Sequence, residues 1–134
     1  MLKKIGIIVG IIILIAAIGF GFLIYRLAGM AHRIESDLAG ITSINLTKVA
    51  DGVYTGSYGD FVVSAKVEVA VKNHRIKKIT IVDQNCGPGY EAKDTVSRII
   101  AAQSPKVDAV TGASSSSRSI MLAVARALKN LNKK

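Results

Sequence analysis

The chain has no tryptophan, one cysteine, two prolines and two histidines among its 134 residues, and aromatic side chains make up 5% of it. Each scarcity removes a class of function. The single cysteine, Cys86, forms no disulfide within the chain, and with histidines only at positions 32 and 74 it builds no Cys/His metal site. The same two histidines, one beside an apolar run and one in a turn between strands, leave a Ser–His–Asp hydrolase without a base. So few aromatics offer no stacking platform for bases, so nucleic acid is not the expected partner. No lysine follows Gly112 as a P-loop requires, and no upstream glycine completes a Gly-x-Ser-x-Gly elbow. No internal repeat is visible. The net charge of +9 is scattered along the chain and reads first as a solubilising surface. Its alternative use is a basic module that docks an anionic wall polymer or nucleic acid.

One feature is abundant. From Ile5 to Ile24, "IGIIVGIIILIAAIGFGFLI" runs for twenty residues without a charge. As a helix it spans about 30 Å, the thickness of a bilayer core. A signal peptide is the competing reading, with Gly29-Met30-Ala31 as a small-x-small cleavage site, but its apolar stretch is usually only about 7–15 residues. The run is therefore expected to be an uncleaved anchor over residues 1–25. Lys3, Lys4 and the amino group precede it and Arg26 and Arg33 follow, a small positive-inside margin that favours a cytoplasmic amino terminus and an extracytoplasmic domain. Gly6-x-x-x-Gly10 has the spacing of a helix-dimer face, although glycine is common in such spans.

Residues 26–50 read as a stalk in which a helix continues to Leu38 and "GITSINLTK" breaks it. Residues 51–134 then read as one small domain. A short strand is expected at Val53–Tyr58. Val63, Ala65, Val67, Val69 and Val71 alternate with Ser64, Lys66, Glu68 and Ala70, the period of a half-buried strand. Lys72-Asn73-His74-Arg75 supplies a turn, and Ile76, Ile79, Ile81 and Val82 the next strand. "DQNCGPGY" is a loop, Glu91–Gln103 a helix ended by Pro105, and Ile120, Val124, Ala127, Leu128 and Leu131 one face of a last helix. Lys129, Lys133 and Lys134 sit at the negative end of its dipole. The expected fold class is α+β, a small antiparallel sheet with helices packed on it, preceded by one transmembrane helix.

The stretch "VTGASSSSRS", residues 110–119, stands out in this plan. Gly112 permits a tight turn, and the last helix is expected to begin near Ser115–Ser117. Free N–H groups and the positive end of a helix dipole make a phosphate site there, with hydroxyls of Thr111 and Ser114–Ser117 as further donors. Serine is equally a favoured N-cap and a common linker residue, so the residues alone leave both readings open.

"DAVTGASSSS" resembles the flavin-attachment motif Asp-x-x-(Ser/Thr)-Gly-Ala-(Ser/Thr) of the FMN-binding domain family. That family includes the covalent-flavin subunits of the sodium-pumping quinone reductase and of the ferredoxin:NAD reductase complex. "DGVYTGSYG" is similar to its opening strand, "VEVAVKNHRIKKITIVD" to its hairpin, "NCGPGY" to its flavin-side Pro-Gly loop and "SIMLAVARALKN" to its closing helix, so the resemblance runs over residues 51–130. It implies Ser114 as the flavin acceptor, with Asp108, Thr111, Gly112 and Ala113 at the other motif positions and Ser115, Ser116 and Ser117 as alternatives in the serine run. Two departures are visible: the acceptor is more often threonine, and Cys86-Gly87 stands where Glu-Thr often precedes Pro-Gly. The implied attachment uses a flavin transferase with FAD as donor: the acceptor hydroxyl attacks phosphate, AMP leaves, and FMN stays as a phosphodiester. A carboxylate beside that phosphate is repulsive, so Asp108 is read as a turn former or as an element the transferase recognises. Arg118 or Lys106 would offset the phosphate charge.

The loop Asn85–Tyr90 is expected against the isoalloxazine ring. Gly87, Pro88 and Gly89 allow close backbone approach, and Tyr90 offers a face to stack on it or, alternatively, packs under the following helix. No residues for substrate chemistry are apparent, so a carrier is expected rather than a stand-alone enzyme. The implied partners are a membrane quinol or NADH oxidoreductase as donor and an exported reductase or extracellular acceptor, with the chain held in the cell membrane by a single span. A non-covalent FMN sensor is the remaining alternative.

Overall fold

No proline occurs before Pro88, and from Leu2 an unbroken run of residues compatible with a helix reaches Ala39, where Gly40 and a last-turn bond from Ile41 N to Leu38 O end it. The computed structural model describes residues 1–41, 44–60 and 62–129. They form two compact units, Met1–Arg33 and Ile34–Lys134. The first is helical throughout from Leu2 and its large apolar side chains are exposed. Helix α1 (Leu2–Ala39, 38 residues) is long and apolar enough to cross a membrane.

The second unit is an antiparallel sheet of β1 (Gly52–Gly59), β2 (Ser64–Lys72) and β3 (Arg75–Asn85) in the order β1-β2-β3, with α2 (Asp94–Ala102) and α3 (Ser114–Lys129). The expected α+β class is thus observed. In β2 the alternation holds: Ala65, Val67, Val69 and Val71 are buried while Lys66, Glu68 and Lys72 are exposed. Each such buried valine contributes about 1.5–3 kcal/mol. The β2–β3 turn places Asn73 (φ 52°) and His74 (φ 57°) both in the left-handed region, the pattern of a two-residue type I′ hairpin. Asp51 Oδ1 accepts from Asn73 N at 2.8 Å, and His74 Nδ1 donates to Val49 O at 3.2 Å. The register of β3 slips twice, between Lys66/Val67 and between Ala70/Val71, with Val82 and Lys77 as the extra residues. The second slip lets Ile76 and Ile79, three positions apart, point to the same buried face.

Helix α3 lies on β1 and β2 at close range. A Cβ on Gly56 would stand 2.1 Å from Ala123 O and 2.5 Å from Ala127 N, so only glycine admits the helix here. The expectation of one buried face on this helix is corrected: Ile120 through Ala125 are buried in succession, as are Ala127 and Leu128. The helix is met by the sheet and α2 and also by the segment expected as a stalk, 26–50, which the structure divides between the two units. Ile34, Ile41 and Val49 are buried in the second. Glu35 pairs with Arg118 near the start of α3, and Lys129 Nζ donates to Gly40 O near its end. Tyr58 donates its hydroxyl to Asp37 Oδ2 at 2.6 Å, with the Arg126 guanidinium over its ring.

Helix α2 is shorter than the expected Glu91–Gln103. Ala92 takes φ 51°, which bars a helix before it, and the left-handed Gln103 caps the other end before Pro105 is reached. The Gln103 amide accepts from Ile76 N (2.8 Å) and donates to Ile76 O (2.9 Å), covering the outer edge of β3 there. Thr42 and Ser43 of the expected helix break, and Leu131, Lys133 and Lys134 of the expected last turns, lie outside the described residues.

Candidate functional site

Two tight turns carry the residues singled out in the sequence, and each opens toward a helix. In the first, Ala113 N bonds to Val110 O at 3.0 Å across Thr111 and Gly112, and Gly112 has φ 81°. This is the type II pattern, which needs glycine at its third position. A Cβ at Gly112 would meet nothing within 4 Å, so the turn faces open space. Helix α3 begins at Ser114, slightly ahead of the expected Ser115–Ser117. Its first internal bond runs from Ser117 N to Ala113 O, which leaves the N–H groups of Ser114, Ser115 and Ser116 without a helical acceptor.

Burial separates the four serines. Ser114 and Ser115 are exposed, whereas Ser116 is 3% and Ser117 0% exposed. Ser117 Oγ accepts from Val110 N at 2.9 Å and donates to Ala113 O at 2.8 Å, so this hydroxyl is a latch inside the turn and not a group at its surface. Ser119 Oγ likewise bonds Ser115 O. A second clamp comes from α2, where Arg98 Nη1 donates to Asp108 O at 3.0 Å and Ala109 O at 3.1 Å. Asp108 is exposed, and among the described residues its carboxylate accepts no hydrogen bond, which disfavours the turn-forming role and leaves it presented to solvent. Thr111 is exposed beside Gly112, and Ala113 is 8% exposed beneath the turn. Lys106 is an exposed loop residue whose backbone N–H, not its ammonium, is held, by Ser104 Oγ.

The second turn spans Gly87–Tyr90. Tyr90 N bonds to Gly87 O at 3.0 Å, with Pro88 and Gly89 (φ 83°) between them, again the type II pattern. Asn85 closes β3 opposite Ser64. Tyr90 is 53% exposed, so about half of its surface is open to solvent, and its ring edge lies 3.1 Å from where a Cβ on Gly87 would be. Glu91 Oε1 accepts from Gly89 N at 3.3 Å. Its own backbone N–H first, then that of Gly89, hold the Glu91 carboxyl below the usual carboxylate range; desolvation opposes this and Lys93 adds to it. Helix α2 starts just after this turn and carries Arg98 to the other one, so it links the two.

Sequence reasoning missed Arg98, Glu35 and the latch role of Ser117. Arg98 sits in a run that reads only as an amphipathic helix, and no local signal marks it as a clamp. The FMN-binding domain family matches residues 63–129, half of the chain, from just before β2 to the end of α3, with both turns inside. The β1 resemblance lies outside that match. Comparison with curated proteins gives no match. An exposed hydroxyl at a helix start, unpaired N–H groups around it and open space over Gly112 fit the phosphate of FMN. The chain belongs to the FMN-binding domain family, and FMN is its cofactor.

Proposed function

We propose that this flavin-binding protein is an electron carrier, anchored by α1 in the cell membrane with its domain on the extracytoplasmic side, and that it holds FMN through a phosphoester to Ser114. The observation that carries this reading is the sorting of the serine run. Ser114 is exposed directly after a doubly clamped turn, while Ser116 and Ser117 are buried. A flavin transferase needs an accessible hydroxyl in a fixed position, and the latch of Ser117 with the clamp of Arg98 supplies the fixed position. Exposed Asp108 supplies a charge for the transferase to read.

Bound FMN supplies one- and two-electron redox chemistry. The chain's own part is to hold the phosphate at the start of α3, where the free N–H groups and the dipole favour an anion, and to offer the exposed Tyr90 face and the Pro88–Gly89 turn to the ring. Attachment through a covalent bond suits an extracytoplasmic address, where a dissociable cofactor is lost by dilution. The electron donor by this reading is a membrane quinol or NADH oxidoreductase, and the acceptor an exported reductase or an extracellular compound. The test is the colour of the full chain purified from a host that expresses a flavin transferase. Covalent attachment predicts a yellow band that survives denaturation and is lost in Ser114→Ala. Colour released on denaturation means dissociable FMN, and a colourless chain means a module that does not carry flavin.

A further inference from the structure

Ser114 and Arg118 stand four residues apart in α3, the spacing that puts two side chains on one helical face with Cβ atoms about 5–6 Å apart. Side chains on a helix lean toward its N-terminus, so the arginine reaches back over the turn that carries Ser114. There it meets an acid from the end of α1: Arg118 Nη1 is 3.5 Å from Glu35 Oε1, and the two side chains are 35% and 66% exposed. An ion pair this wet is weak and easily exchanged.

The role of this pair toward FMN rests on attachment at Ser114. In that reaction Ser114 Oγ bonds to the FMN phosphorus of FAD, the anhydride bond to AMP breaks, AMP leaves with the bonding electrons, and the hydroxyl proton goes to solvent. A neutral hydroxyl becomes a diester with one negative charge, one helical turn from a guanidinium. We propose that Arg118 is the counter-ion of this phosphate, held by Glu35 until Ser114 is modified and then exchanged to the diester oxygens. A charge-assisted bond from arginine to phosphate is stronger than an exposed carboxylate pair, so the exchange runs downhill. It does not release the 34–41 segment, because Ile34 and Ile41 remain buried, Asp37 keeps the Tyr58 hydroxyl and Gly40 O keeps Lys129.

A purely structural ion pair predicts that removing either partner does the same thing. Exchange predicts opposite signs, because Glu35 competes with the phosphate for Arg118. The experiment measures kcat/KM for attachment to the full chain in detergent micelles, with purified flavin transferase and FAD. Arg118→Gln is expected to lower it about tenfold, the scale of one charged hydrogen bond. Glu35→Gln is expected to raise it about twofold, the scale of an exposed pair. The gap between wild type and Arg118→Gln should narrow as salt rises. Circular dichroism of the unmodified variants checks folding. If Arg118→Gln misfolds, Arg118→Lys takes its place and is expected to keep most of the rate. Both Gln variants moving the rate in one direction, no effect of Arg118→Gln, or a folded Arg118→Lys with no attachment overturns the exchange alone. A wild-type chain that takes no flavin overturns the attachment reading together with it.

Discussion

The two glycine turns of the flavin-binding unit have the same backbone and opposite support. The Thr111–Gly112 turn is fixed by Ser117, fully buried and bonded to both Val110 and Ala113, and by Arg98 on the two carbonyls before it. The Pro88–Gly89 turn is fixed by proline's own rigidity and by one exposed carboxylate, Glu91, on Gly89 N. A position that must present one hydroxyl to another enzyme gains from rigidity. A loop that must settle against a flat ring gains from give. On the proposed reading, this difference suits attachment at the first turn and tuning at the second.

Breaking the latch should have the largest effect. Ser117→Ala leaves Val110 N–H without its partner in a half-buried loop, a loss of about 1–3 kcal/mol in stability. Denaturant unfolding should show a lower midpoint at unchanged slope, and the attachment rate should fall more steeply than stability does. An attachment rate that merely follows the unfolded fraction would mean the latch holds the fold and not the acceptor.

The opposite pattern is expected at the other turn. Tyr90→Ala removes a ring that is 53% exposed, so stability should change by less than about 0.5 kcal/mol and attachment at Ser114 should be normal. Flavin fluorescence and midpoint potential should both move. A folded, fully flavinylated Tyr90→Ala chain with neither changed would separate this loop from the ring.

The smallest effect is a pH dependence confined to one turn. The Glu91 carboxyl titrates below its ordinary value, so its hold on Gly89 N is complete above the usual carboxylate range and is lost as pH falls through the lowered folded value. The protection of Gly89 N–H, its amide-exchange rate relative to the intrinsic rate at each pH, should fall in that acid window and stay flat there in Glu91→Gln. Val110, held by a hydroxyl that does not titrate, should show no such step.

Much of this contrast was legible in the residues, and the rest needed the fold. Pro88-Gly89 and Gly112 announce their turns because only glycine takes the required φ at no steric cost. The alternation of Val63–Val71 announces β2, although Val63 itself is half-buried in the bend just before the strand begins at Ser64. Ile76 and Ile79 were legible as strand residues, but the bulge at Lys77 hid that they share one buried face, since a spacing of three contradicts the strand period. The burial of α3 was illegible because elements distant in sequence meet it: the sheet, α2, and the 34–41 segment through Glu35 and Gly40. Ser117 reads like its three neighbours until the helix begins at Ser114 and turns it inward.

Burial, on this reading, leaves two hydroxyls of the four accessible, Ser114 and Ser115, and the place of Ser114 directly after the clamped turn picks the first. Trypsin releases that choice on a single peptide, Val107–Arg118, whose fragmentation by mass spectrometry places the flavin on one serine. The expected result is the FMN phosphoester mass on Ser114, with the hydroxyls of Ser116 and Ser117 unmodified even when Ser114→Ala is exposed to excess transferase and FAD. Flavin on Ser115 of the wild-type chain would contradict it, as would flavin on Ser116 or Ser117 in either chain, because those last two hydroxyls lie beneath the surface in the folded protein.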